Sequence, residues 1–150
     1  MSKTSADLTM LYKVLLIISF LSLPCYGHVI GHGTMKSHTM NGNTITGVAT
    51  PSMGAQEHEV WRSQIAPGGK TPLHRHTSEE TFIVLKGEGY VLVGEEKIPF
   101  KAPTTIIAPK NVNHQVVNTG KEPTDSIVIV KVGSKIFTAS GKELSLKWRK

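Results

Sequence analysis

The feature that most constrains this chain is a succession of short runs of β-branched and aromatic residues, closely spaced, with no helical stretch between them. They occupy residues 57–64, 81–85, 90–93, 98–100, 104–108, 114–118, 126–132 and 135–138. Chain-reversing residues separate them: Pro67-Gly68-Gly69, Lys86-Gly87-Glu88-Gly89, Gly94-Glu95-Glu96-Lys97, Pro109-Lys110-Asn111 and Asn118-Thr119-Gly120. Short strands at this spacing predict an all-β sandwich or barrel. So many β-branched runs make open sheet edges hazardous, and a sheet rolled onto itself protects them. With 150 residues, 39% of them hydrophobic, the chain can fill one core but not two. A single domain over residues 55–140 is therefore predicted.

The two ends read differently. Lys3 and Lys13 flank the start, and residues 14–23 read VLLIISFLSL; Pro24 breaks the run, and Cys25 and Gly27 are spaced as the small residues of a cleavage site. This is the layout of a secretory signal peptide over residues 1–27, cut between Gly27 and His28. The run is shorter than the ~20 residues a spanning helix needs, so no stable membrane span is expected after cleavage. Cys25 is the only cysteine, and the cut chain would enter an oxidising compartment without disulfides. Residues 28–54 read as a loose N-terminal arm with a short edge strand at 44–48. Its histidines, His28, His32 and His38, are spaced like no compact site and are read as solvated. In the tail, residues 141–150, the alternation of Leu144, Leu146 and Trp148 predicts one face docked on the barrel, with Lys147, Arg149 and Lys150 in solvent. The net charge of +6 is spread along the chain rather than gathered into a stripe. Nucleic acid is not an expected partner.

The chemistry concentrates in GGKTPLHRHTSEETFIVLKG, residues 68–87. His74 and His76 are two apart, so on a strand both imidazoles share one face. Glu80 follows at even spacing and can return to that face after a bend. His114 comes much later, just after the Pro109-Lys110-Asn111 turn, where a rolled sheet can bring it opposite the first pair. Three imidazoles and a carboxylate suit zinc, manganese, iron or nickel, and disfavour copper(I) or calcium. Only unprotonated imidazoles bind a metal, so affinity is expected to fall as pH drops through ~6.5. If Glu80 points inward, Phe82 and Val84 do too; if His114 points inward, so does Val116.

These residues carry a resemblance. Gly68, His74, His76, Glu80 and Gly87 match the first motif of the cupin superfamily at its own spacing. Pro109, Asn111, His114 and Asn118 match the second, with Asn111 in a glycine slot; Asn tolerates the left-handed conformation best after Gly. The resemblance implies a single-domain β-barrel of jelly-roll type that holds one divalent metal ion through His74, His76, Glu80 and His114. Residues 57–137 further resemble the plant auxin-binding proteins, through Glu57-His58-Glu59-Val60-Trp61, Thr71-Pro72-Leu73-His74-Arg75-His76, Glu79-Glu80, Asn113-His114-Gln115-Val116 and Asn118-Thr119. This implies zinc, with manganese or iron as alternatives, and a small aromatic carboxylic acid of auxin type whose carboxylate sits on the metal. Trp61, Thr71, Pro72 and Phe82 would line its pocket.

That family continues into a C-terminal extension with a pocket tryptophan, a cysteine and a Lys-Asp-Glu-Leu retention signal, whereas the residues here are Lys147-Trp148-Arg149-Lys150. Trp148 is available for the tryptophan's place but is not expected to fill it. Secretion is accordingly expected ahead of residence in the endoplasmic reticulum lumen, and a homodimer is expected from related cupins. The leading functional expectation is a binding protein rather than an enzyme, since Glu80 as a metal ligand leaves no evident general base. The alternative is a secreted metal-dependent oxidase or dioxygenase. Germin identity is disfavoured, because three residues rather than four separate His76 from Glu80 and no cysteine pair is present.

Overall fold

The computed structural model describes residues 27–149. The proposed leader, up to Tyr26, lies outside the described residues, as does Lys150. Eleven strands form among the described residues: β1 (Ser37–Met40), β2 (Asn43–Ala49), β3 (His58–Ile65), β4 (His74–His76), β5 (Glu80–Lys86), β6 (Glu88–Val93), β7 (Glu96–Lys101), β8 (Thr104–Ala108), β9 (His114–Asn118), β10 (Asp125–Lys131) and β11 (Ile136–Thr138). Every pairing is antiparallel. One sheet runs β1-β2-β3-β10-β5-β8, the other β11-β4-β9-β6-β7. Among the described residues no helix is long and apolar enough to cross a membrane. The molecule is all-β, as the run pattern predicts.

Alternation on the strands decides what lies between the sheets. On β3, Glu59, Trp61, Ser63 and Ile65 are buried while His58, Arg62 and Gln64 are exposed. On β5 the buried set is Glu80, Phe82 and Val84. With Val128 and Val130 of β10, and Val91, Val116 and Ile136 of the second sheet, these side chains make one core. Burying each large apolar side chain stabilises by about 1.5–3 kcal/mol. Within the second sheet, β6 and β9 approach closely enough that Gly89 has no room for a side chain: a Cβ there would collide with the Val117 carbonyl.

Residues 28–54 are more structured than the loose arm read from sequence. A hairpin of β1 and β2 turns at Asn41-Gly42, both with positive φ, at 54° and 76°. Asn-Gly is the pair that favours such a two-residue turn, and β2 then pairs along β3. The single strand expected at 44–48 is thus the second arm of a hairpin that closes one flank of the barrel. His38 is half-buried beside Trp148, with ring centroids 5.8 Å apart, and is not simply solvated.

The tail docks as expected through Leu144, Leu146 and Trp148, but Arg149 is not in solvent. Its guanidinium donates to both carboxylate oxygens of Glu59 and, at 2.7 Å, to the Ser134 carbonyl. Glu59 is fully buried, and an ionised carboxylate in that position needs a charged partner. Arg149→Ala is expected to lower stability by about 3 kcal/mol, because it strands a buried charge; urea unfolding measures it.

On the outer face, Arg62 grips Asp125 with two hydrogen bonds of 2.9 Å. The bonds from Arg62 hold the Asp125 carboxyl below its ordinary value. The stabilisation this gives is present above the unfolded carboxylate range, near ~3.9, and is lost as pH falls through the depressed value. Arg62 is 48% exposed, so Asp125→Asn should cost no more than about 1 kcal/mol at neutral pH. The cost should disappear below the depressed pKa, as urea unfolding at two pH values would show.

Candidate metal centre

The four residues read from sequence come from three strands of both sheets. His74 and His76 sit at the two ends of β4 with Arg75 between them facing away; Glu80 opens β5 and His114 opens β9. His74 pairs with His114 across β4 and β9. The chain passes from β4 to β5 through Thr77-Ser78-Glu79, which carries Glu80 into the opposite sheet while keeping it inward. Ser134 holds that crossing, accepting from Ser78 N–H at 3.2 Å. Asn111, φ 62°, makes the left-handed turn before β9. The motif's Asn118 is structural: its amide donates to the carbonyls of Ile65 and Glu122 and accepts from Gly120 N–H, each at 2.8 Å.

The four ligand atoms lie within 4.8 Å of one another, and all four residues are buried. Glu80 Oε2 is 2.8 Å from His114 Nε2, 3.4 Å from His76 Nε2 and 3.6 Å from His74 Nε2. The outer nitrogens fix two of the rings. His74 Nδ1–H donates to the Pro72 carbonyl at 2.8 Å, and His114 Nδ1–H to the Val112 carbonyl at 3.0 Å. Such partners orient an imidazole and leave its Nε2 lone pair for a metal. With Nδ1–H already donated, a neutral ring can offer Glu80 only a lone pair at Nε2, so a cation must stand between them: a proton, as in the 2.8 Å His114–Glu80 hydrogen bond, or a metal ion that replaces it. His76 makes the same point independently, since both its nitrogens are buried with no hydrogen-bond partner among the described residues. Bonds of about 2.0–2.2 Å to nitrogen and oxygen place neighbouring donors roughly 3–3.5 Å apart, close to the spacing found. The residues fit a divalent metal.

The electrostatics agree. Burial raises the cost of ionising Glu80, yet the hydrogen bond with His114 and the nearby His74 and His76 hold it well below the usual carboxylate range. His74, at 3.6 Å, contributes by charge rather than by a hydrogen bond. Burial pushes His74 down, but Glu80 outweighs it and the net direction is up. At His76 burial wins: with repulsion from His74, His114 and Arg149 against the single attraction of Glu80, its pKa falls to about 4. A buried carboxylate anion beside a neutral imidazole is a donor set ready for a cation.

The cluster borders a cavity of about 560 Å³. Trp61, Thr71, Pro72 and Phe82, the four pocket residues expected from sequence, all line it together with His74 and Glu80. Thr71 has a second task, accepting the Val116 N–H at 3.0 Å. Sequence reasoning missed other parts of the wall: His38 and Asn43 from the hairpin, and Leu144, Leu146 and Trp148 from the tail. Trp148 meets Trp61 edge-on, ring centroids 5.9 Å apart, so it does stand in the cavity wall, contrary to expectation. The alternation of the tail was the available signal; it shows that one face docks, not on what.

Residues 61–130 match the model of the Cupin domain. The chain is 42% identical over 86 residues to auxin-binding protein 1 of Arabidopsis thaliana, covering 51% of this chain and 43% of that protein. It is 33% identical over 87 residues to an uncharacterized protein of Methanocaldococcus jannaschii, covering 57% of this chain and 70% of that one. The chain spans about half the length of the auxin-binding relatives it matches. Among solved structures, the polyketide cyclase RemF of Streptomyces resistomycificus superposes with a TM-score of 0.67 at 16% identity, over 83% of this chain and 91% of that one.

His74→Ala and His114→Ala are each expected to abolish stoichiometric metal, measured by elemental analysis of the purified protein. Each removes a nitrogen that no neighbouring side chain among the described residues can replace.

Proposed function

The chain belongs to the cupin superfamily, and on that premise we propose that it is a metal-dependent binding protein for a small aromatic carboxylic acid of auxin type. Zinc is the metal proposed. The observation that carries this reading is that the four-residue cluster, through His74 and Glu80, borders a largely apolar cavity. His74, His76, Glu80 and His114 would hold the ion, which when bound supplies an electropositive seat for a carboxylate.

The rest of the recognition falls to the chain's own residues. Trp61, Phe82, Val128, Leu146 and Trp148 offer flat and branched apolar surface to an aromatic ring. Burying a ring there contributes at about 25 cal/mol per Å² of apolar area, while the charged end fixes orientation. Glu80 is the one acidic side chain of the cavity wall among the described residues. It is already committed to the imidazoles, which favours binding over acid–base catalysis. The leader-like residues 1–27 support action in the secretory pathway or outside the cell.

Calorimetry on the metal-loaded protein tests the proposal. The expected result is zinc at one ion per chain and saturable indole-3-acetic acid binding at micromolar or tighter affinity, weakened at least tenfold by Trp61→Ala. Manganese or iron, with substrate-dependent oxygen consumption and no acid binding, would replace this reading with an oxidase or dioxygenase.

A further inference from the structure

The strand register orders the cavity from end to end. Glu80 pairs with Val130 on β10, and Val130 pairs with Glu59 on β3, so these three define the row of the metal cluster. The next inward row is Phe82, Val128 and Trp61, the aromatic waist. The row after that holds Val84, Ser126 and Ser63. Ser63 therefore lies four residues along β3 from the metal row, about 13 Å away at the rise of an antiparallel strand.

Ser63 and Asn43 form a polar pair at that far end. Both line the cavity and are buried, 3% and 2% exposed. Ser63 Oγ–H donates to Asn43 Oδ1 at 2.7 Å, which leaves the amide Nδ2 of Asn43 with no hydrogen-bond partner among the described residues. Nδ2 is not among the fully occluded unpartnered atoms either, so it remains reachable. An N–H that faces the cavity without a protein acceptor can donate to a bound ligand, and a ligand that covers it without an acceptor leaves it unsatisfied at a cost of about 1–3 kcal/mol. The wall is donor-rich beyond this pair. Trp61 and Trp148 also line the cavity, and each buries an indole N–H with no acceptor among the described residues.

We infer that Asn43, set by Ser63, is a second polar pole of the cavity, and that the ligand is an aromatic carboxylic acid bearing an oxygen acceptor at the ring edge remote from its carboxylate. This rests on the binding reading above and narrows its ligand. The lengths are compatible. Of about 13 Å between the rows, about 2 Å belongs to a metal–oxygen bond and about 3 Å to a hydrogen bond. The remainder, about 8 Å, suits a two-ring acid carrying its second oxygen on the far ring. A wholly apolar far end would bury against Asn43 and leave its N–H unpartnered.

The test compares three acids on the zinc-loaded full chain by calorimetry: indole-3-acetic acid and its 5-hydroxy and 6-hydroxy derivatives. The wild-type chain should prefer one hydroxylated acid by about fivefold or more, as one buried hydrogen bond supports. Asn43→Leu should bring that ratio close to one, with zinc stoichiometry retained. Asn43→Ala, which removes the amide without offering a new acceptor, should do the same. No preference in the wild-type chain, or a preference that survives both substitutions, overturns the inference while leaving the binding reading intact. Failure of all three acids to bind the zinc-loaded chain overturns the binding reading itself.

Discussion

The constraint on which the structure depends is a buried negative charge. Glu80 is 2% exposed and surrounded by three buried imidazoles. An isolated carboxylate in such a place would be severely destabilising. Glu80 escapes this only because β4, β5 and β9 converge from two sheets at one point. That convergence fixes the register of β4 against β9, the sharp crossing at residues 77–79, and the left-handed turn at Asn111. Packing of Trp61, Phe82 and Val130 around the cluster keeps its dielectric low, which strengthens whatever cation the donors hold.

A second buried ion pair closes the barrel where the tail returns. Glu59 faces inward on the same row as Glu80 and is answered by Arg149 from far along the chain. The pair anchors the segment that presents Leu144, Leu146 and Trp148 to the cavity. One carboxylate thus organises the metal cluster and the other organises the wall facing it. Both are costly groups that the fold retains where function would use them.

Much of this was legible in the sequence, for identifiable reasons. The spacing of His74, His76 and Glu80 is a face argument that needs only strand parity, and parity also put Phe82 and Val84 inside. His114 was a candidate from its place after the Pro109-Lys110-Asn111 turn, and the resemblance singled it out, because nothing local says which distant strand lies opposite. The hairpin of β1 and β2 was missed although Asn41-Gly42 is a strong turn signal, since its strands are built of Ser, Thr and Asn rather than large apolar residues. Asn43, one residue outside the strand expected at 44–48, drew no reading for the same cause. Arg149 was unreadable: a terminal arginine is solvated unless it has a buried partner, and its partner is 90 residues away. With Arg149 anchored there, its neighbour Trp148 stands in the cavity wall.

Crystals of the purified full chain, measured across the zinc absorption edge, examine the central claim most directly. The account requires one anomalous peak per chain, about 2.0–2.2 Å from Nε2 of His74, His76 and His114 and from a carboxylate oxygen of Glu80. A peak elsewhere on the surface, or none in crystals grown with excess zinc at neutral pH, would contradict it.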